Sequence, residues 1–375
     1  MHNKMHLLFY IPSLASGGAE RVLTKLANQF TDEGHIVTLV TQTSIICDHY
    51  PIRPEVSRIS LAASAQSQNP IQALLSNMRR IVRLRRVIKT QKPDIVLTFM
   101  PTANVVALIA ALGLEVPTVI AERVHPPFAH VSKWRRKMQQ LTYPRAQTTV
   151  VLSSSSASYL AEAFGLTQVA VIPNSISLPL PQFSPTRAPA DFVPSNGKLV
   201  LFVGRMVEQK QPIVVLRAFL EAQTHLQDWH LVMIGDGELA AEVDAIIDQQ
   251  AAPATMQRFS RLGNLQDWYE RADVFVSASL FEGSPNALME AMACGCAVIA
   301  SDCPTGPGDI IHNEENGVLL SLKELDNLAQ HLQTLCNDEP RRERLVDGAA
   351  TISAKYSDQQ FFDDWRRVLG LGTPG

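Results

Sequence analysis

Short apolar runs of strand length recur along this chain, each followed by a polar or glycine-containing turn and then by apolar residues at helical spacing. That alternation constrains the fold more than any other feature. Residues 5–11, 35–40, 94–98, 118–121, 150–153 and 169–173 form one series of expected strands. Residues 199–203, 231–234, 274–277 and 297–300 form a second. Strands separated by helices do not pair as hairpins, so the sequence predicts α/β architecture with parallel sheets covered by helices on both faces. Between the two series, Pro179, Pro181, Pro185, Pro189 and Pro194 break any apolar period, and the segment reads as a linker. The expected division is a first domain at 1–178, a linker at 179–197, a second domain at 198–354, and a C-terminal helix and tail at 355–375. The last helix carries Phe361, Phe362, Trp365 and Leu369 on one side and is expected to cross back onto the first domain.

A length of 375 residues suits two domains, and 46% hydrophobic content excludes wholesale disorder. The five cysteines lack the spacing of a disulfide framework or a zinc site, so they read as small core residues in a reducing compartment. The opening MHNKMHLLFYIPSLASGG runs from a short apolar stretch straight into a glycine turn, unlike a secretion signal, and no uncharged stretch reaches the length of about eighteen residues that a membrane helix needs. A cytoplasmic location is therefore expected. The net charge of −3 conceals an asymmetry: residues 1–180 carry +9 and residues 181–375 carry −12. The first half is thus expected to face something anionic.

The second series contains the densest chemistry. In FEGSPNALMEAMACGCAVI, residues 281–299, Glu282 and Glu290 stand on either side of an expected helix start, with Ser284 as N-cap and Pro285 as first helical residue. The amides of Asn286, Ala287 and Leu288 would point out of that helix with the positive end of its dipole, an arrangement suited to phosphate, while the two carboxylates suit sugar hydroxyls. Upstream, Arg205 and Lys210 lie on the loop after an expected strand, where paired cations would neutralise a diphosphate as it departs. Together these features point to a nucleotide sugar. No metal cluster is evident, and cations with a helix dipole supply the neutralisation without one.

In the first series, Gly17 and Gly18 allow close backbone approach by a ligand, but the spacing is not that of a nicotinamide-binding loop. Glu122, Arg123 and His125 follow an expected strand at the end where ligands bind in open sheets, and are candidate acceptor or sugar contacts. Residues 71–91 read as an amphipathic helix with Leu74, Leu75, Met78, Ile81, Val82 and Ile88 on one side. The helix carries six cations, among them Arg79, Arg80, Arg83 and Arg86, and no acid. That pattern suits an anionic membrane surface, and Lys133, Arg135, Arg136 and Lys137 add to the same charge. No nucleic-acid-binding motif accompanies these cations.

GRMVEQKQP at 204–212, FEGSPNALMEAMACG at 281–295, CPTGPGDII at 303–311 and the glycine loop at 17–21 together resemble glycosyltransferase family 4, retaining enzymes of the GT-B fold. The resemblance implies two Rossmann-like domains with parallel sheets facing a central cleft. It implies that Arg205 and Lys210 bind the donor diphosphate, Glu290 the ribose hydroxyls, and Glu282 the donor sugar. Gly283, Ser284, Pro285, Asn286, Ala287 and Leu288 would meet the sugar and phosphates, Leu262 would border the base, and Gly17 and Gly18 would close from the other domain. Many relatives place a histidine directly after the fourth strand, where this chain has Glu122 and Arg123. The Glu-Arg pair and the CPTGP loop resemble bacterial enzymes that extend lipid-linked glycans or surface polysaccharides. The implied reaction moves a hexose or N-acetylhexosamine from a UDP-sugar to such an acceptor, at the inner face of the cytoplasmic membrane and with no cofactor. The rival readings are a nucleotide-sugar epimerase of the same fold and a non-catalytic subunit.

Overall fold

The computed structural model describes residues 4–15, 17–63, 70–123, 132–250 and 253–372. The chain forms two compact units: Met1–Pro173 with Phe361–Gly375, and Asn174–Gln360.

Unit 1 runs β1 (His6–Ile11), α1 (Gly18–Asp32), β2 (Ile36–Thr41), β3 (Ser57–Ser60), α2 (Pro70–Gln91), β4 (Ile95–Phe99), α3 (Pro101–Ala111), β5 (Thr118–Ala121), α4 (Lys133–Thr142), β6 (Thr148–Val151), α5 (Ser154–Phe164) and β7 (Val169–Val171). Its strands form one sheet in the order β3-β2-β1-β4-β5-β6-β7, every pair parallel. Alternate residues of β1 explain why both faces must be covered. Leu7, Phe9 and Ile11 pack with α1 residues such as Leu23 and Phe30, whereas Leu8 and Tyr10 pack with Leu84 and Ile88 of α2 and Ala103 and Ala107 of α3.

Unit 2 runs β8 (Lys198–Val203), α6 (Pro212–Ala222), β9 (Trp229–Ile234), α7 (Ala240–Asp248), β10 (Met256–Phe259), α8 (Leu265–Arg271), β11 (Val274–Ser277), α9 (Asn286–Ala293), β12 (Ala297–Asp302), α10 (Pro307–Ile310), β13 (Val318–Ser321), α11 (Leu328–Asn337), α12 (Glu339–Gly348) and α13 (Ile352–Lys355). Its parallel sheet has the order β10-β9-β8-β11-β12-β13.

The last helix, α14 (Asp358–Leu369), returns to unit 1 as its spacing predicts. Phe361, Phe362, Trp365 and Leu369 enter the core on the α1 side, where Trp365 stacks on Phe99 with ring centroids 5.6 Å apart. Burying these four side chains stabilises the helix by about 1.5–3 kcal/mol each. Arg366 adds a paired hydrogen bond to the carboxylate of Glu33, at 2.5 and 3.1 Å.

The proline-rich segment differs from its expected form. It is a fastened part of unit 2, which begins at Asn174 rather than after a free linker. Leu180 and Val193 enter the unit's core. The amide of Phe183 donates to the Gly263 carbonyl at 3.1 Å, and Trp268 Nε1 donates to the Arg187 carbonyl at 3.1 Å. Prolines remove donors, but the residues between them keep theirs and spend them on the second unit.

Candidate active site

In unit 2 the loops after β8, β9, β11 and β12 meet at the C-terminal end of the sheet, because parallel strands bring all their exit loops to one end. Their closeness is backbone against backbone. A Cβ on Gly235, whose φ is +151°, would lie 1.8 Å from the Gly204 carbonyl oxygen, so only glycine permits the turn after β9 to pack on the loop after β8. Gln209 then ties the β8 loop to the β11 loop. Its side chain donates to the Phe281 carbonyl at 2.8 Å, its own carbonyl accepts from the Leu280 amide at 2.8 Å, and its Oε1 accepts from Arg205 at 3.0 Å.

Those constraints place Arg205, Lys210 and Glu282 together. Glu282 is buried, 5% exposed, and forms an ion pair with the Lys210 ammonium. The Ser279 hydroxyl donates to Glu282 Oε1 at 2.6 Å, and the Thr305 hydroxyl donates to the Glu282 carbonyl. Gly306 lets the loop after β12 lie against this corner, since a Cβ there would come within 2.9 Å of the Pro285 ring at a φ of +101°. Glu282 Oε1 is held by Lys210 from the loop after β8 and by Ser279 of its own loop, and the Glu282 carbonyl by Thr305 from the loop after β12, which fixes the residue without a helix or strand of its own.

The helix start is shifted by one residue from the expected one. Pro285 occupies the N-cap position of α9 and Asn286 is its first residue. Ser284 does not cap, because its carbonyl closes a tight turn onto the Asn286 amide at 2.9 Å and its hydroxyl donates to Asn286 Oδ1 at 3.2 Å. The same Oδ1 accepts from Asn174 at 2.8 Å. The Met289 amide bonds the Pro285 carbonyl, which leaves the Ala287 and Leu288 amides at the open end of the helix. One turn on, Glu290 is partly exposed and its Oε2 accepts from the Tyr269 hydroxyl at 3.2 Å. Burial, and then the nearby Glu290 charge, push Tyr269 well above its ordinary value, so it remains a proton donor. The Leu262 side chain is 3% exposed inside the core, so only its backbone can border a ligand.

Unit 1 holds the remaining candidates. Gly17 is the N-cap of α1 and Gly18 its first residue. The Tyr50 hydroxyl donates to the Gly17 carbonyl at 3.1 Å, and the Glu20 carboxylate folds over the position a Gly17 Cβ would occupy. Glu122 and Arg123, the candidate acceptor or sugar contacts, follow β5 and are buried, with 2% and 8% exposure. Glu122 accepts from the Tyr143 hydroxyl and from Asn104 Nδ2 at 3.3 Å, and burial raises its carboxyl to about 7. The Arg123 guanidinium lies over the Phe99 ring at 5.2 Å, and burial lowers it to about 9. His125 lies outside the described residues.

The apolar side expected for α2 is divided. Leu84 and Ile88 are buried and Ile81 is partly buried, whereas Leu75, Met78 and Val82 are 50%, 54% and 58% exposed; the Leu74 side chain is outside the described set. Of the four cations assigned to a membrane, Arg80 and Arg83 instead bond carbonyls of residues 61–63, while Arg79 and Arg86 stay on the exposed side. The helix lies along that segment, whose carbonyls need donors and find guanidinium groups within reach.

Among the described residues no group of His, Cys, Asp and Glu is placed to hold a metal, and no helix is long and apolar enough to cross a membrane. Burial pushes the Cys294 and Cys303 thiols up to about 12, so they remain protonated at neutral pH.

Local sequence pattern did not reveal Gln209, Ser279 or Asn174: Gln209 and Asn174 act through contacts between segments far apart in the chain, and Ser279 reaches Glu282 through a turn of the loop that they share. Residues 187–351 match the model of Glycosyl transferases group 1, and residues 16–179 match that of Glycosyltransferase Family 4. The chain is 27% identical over 371 residues to a Campylobacter jejuni protein, GalNAc-alpha-(1->4)-GalNAc-alpha-(1->3)-diNAcBac-PP-undecaprenol alpha-1,4-N-acetyl-D-galactosaminyltransferase, with 97% of this chain and 98% of that one covered. It is also 27% identical to the amylovoran biosynthesis glycosyltransferase AmsD of Erwinia amylovora, covering 97% and 99% of the two chains. In fold it is similar to the Anabaena protein HepE, solved in complex with UDP, with a TM-score of 0.77 at 18% identity over 98% of this chain and 100% of that one. With nearly every element of both units inside one or the other family model, the chain belongs to the glycosyltransferases, its first half to family 4 and its second to group 1, on a GT-B fold.

Proposed function

We propose that this glycosyltransferase moves a hexose or N-acetylhexosamine from a UDP-sugar to a lipid-linked glycan or polysaccharide acceptor, with retention at the anomeric carbon. The observation that carries the reading is the corner of unit 2 where Arg205, Lys210 and the open end of α9 converge beside Glu282, with Glu290 one turn further along. A diphosphate drawn to the cations and to the Ala287 and Leu288 amides has its charge met by groups already in place. Glu282 is then left to the donor sugar and Glu290 to the ribose. The acceptor hydroxyl oxygen bonds the anomeric carbon as that carbon's bond to the diphosphate oxygen breaks. The bonding pair leaves with the UDP, and the hydroxyl proton passes to the departing phosphate. Entry and exit on one face retain the configuration.

The polyprenyl-diphosphate acceptor named for the Campylobacter relative and the UDP bound to the Anabaena structure support the acceptor and donor classes. The outward stripe of α2, with Leu75, Met78 and Val82 beside Arg79 and Arg86, supports peripheral contact with an anionic membrane, where such an acceptor would be met. In this reading neutralisation comes from Arg205, Lys210 and α9. The test is turnover of UDP-sugars with a polyprenyl-diphosphate glycan in the presence of EDTA. A glycoside product of retained configuration is expected, while free sugar isomers without a glycoside would overturn the assignment.

A further inference from the structure

A second exposed apolar face lies on α4. Trp134 is 68% exposed and Leu141 54%, whereas the other three tryptophans, Trp229, Trp268 and Trp365, are 5%, 0% and 0% exposed. Residues 134, 137 and 141 fall within about 60° of one another on a helical wheel, so Trp134, Lys137 and Leu141 form one outward stripe. The opposite side is fixed. Gln139 and Thr142 are buried, Gln139 Nε2 donates to the Tyr143 hydroxyl at 3.1 Å, and Arg136 donates to the Tyr159 hydroxyl of α5 at 2.5 Å. Rotating α4 to hide Trp134 would break these bonds, so the tryptophan is held in the solvent.

Charge narrows what this stripe can meet. From Arg123 to Ala161 there are six cations and no acid. A second copy of the same face would set cations against cations, which disfavours self-association through it. A surface that combines anionic headgroups with an apolar interior satisfies both the cations and the apolar side chains. Helices α2, α3 and α4 lie on one side of the sheet with α3 between the others, since Arg85 of α2 donates to the Ala110 and Leu112 carbonyls at the end of α3, and Asn104 of α3 bonds the Tyr143 hydroxyl beyond α4. The stripes of α2 and α4 thus face outward from the same layer.

We propose that the outward face of α4, with Trp134, Lys137 and Leu141, is a second contact with an anionic phospholipid surface beside that of α2. The inference rests on the reading that unit 1 works at such a surface. Trp134 and Leu141 enter the headgroup boundary, and Arg135 and Lys137 meet the phosphates.

Trp134 reports on its own fate, because the other tryptophans are buried. The full chain is mixed with phosphatidylglycerol–phosphatidylcholine vesicles whose acyl chains are brominated, and flotation and tryptophan fluorescence are read together. Wild type is expected to float with its fluorescence quenched, and Trp134→Phe to float with the quenching lost. Trp134→Ala combined with Leu141→Ala is expected to lower vesicle partitioning about tenfold with an unchanged thermal melt. Flotation of wild type without quenching, or quenching that persists in Trp134→Phe, overturns the role of α4 and leaves the α2 contact standing. Failure of wild type to float overturns both, and flotation equal on pure phosphatidylcholine overturns the anionic surface.

Discussion

Each unit has a glutamate just beyond a central strand, Glu122 after β5 and Glu282 in the loop after β11, and both are buried. Their surroundings differ in one respect. Glu282 has a lysine against it and is held by Ser279, with its own carbonyl held by Thr305, whereas the bonds to Glu122 come from neutral groups, the Tyr143 hydroxyl and the Asn104 amide. A buried carboxylate with a cation beside it has part of its burial cost offset. One with only dipoles beside it is driven toward its neutral form, and burial raises Glu122 to about 7. In the proposed reading, the same residue type at the same kind of strand end is a site component in unit 2 and a scaffold component in unit 1.

The comparison breaks most visibly at Lys210 and Glu282. Lys210→Ala and Glu282→Ala are each expected to lower turnover by roughly 10²–10³-fold. In the double variant the loss should be smaller than the product of the two, because each single change leaves the other charge unpaired. Steady-state kinetics on all three variants checks this, and multiplicative losses would separate the two residues. Glu290→Gln should have a lesser effect, about tenfold and mainly in KM for the donor, because it weakens binding that ground and transition states share.

Glu122 should behave differently, through stability and pH. Its folded-state value lies above the ordinary 4.5, so the folded protein holds a proton that the unfolded chain releases. Its contribution is intact below about 4.5 and is lost as pH rises toward 7, with little change beyond. Thermal melts across that window should show the decline in wild type and a flatter profile in Glu122→Gln. A decline that persists unchanged in Glu122→Gln would contradict the scaffold role. The smallest expected effect is on turnover of a water-soluble acceptor by Arg79→Gln with Arg86→Gln, within about twofold of wild type, while vesicle flotation of the same variant falls. Equal flotation would remove α2 from the account.

Much of this was legible in the chain. The strands expected from apolar runs are found within one or two residues, because central strands of a parallel sheet are covered on both faces. The three strands that pattern did not reveal, β3, β10 and β13, are all sheet edges, and the first two, SRIS and MQRF, are too polar to form an apolar run. The Glu282–Glu290 pair and the upstream cations pointed to the corner at Glu282 because the loops after β8 and β11 leave adjacent strands at the same end of one sheet. What the spacing could not convey was direction. Glu122 turning into the core, Arg80 and Arg83 reaching carbonyls, and Trp134 facing out all depend on packing partners from other segments.

The central claim is that Arg205, Lys210 and the start of α9 form a diphosphate site. Calorimetric titration of UDP into the full chain with EDTA present tests it most directly. Wild type should bind, and Lys210→Ala should bind about 10–100-fold more weakly, as expected for loss of a charge-assisted contact. Undiminished affinity in both Lys210→Ala and Arg205→Ala, or no binding of UDP by wild type, would contradict the account.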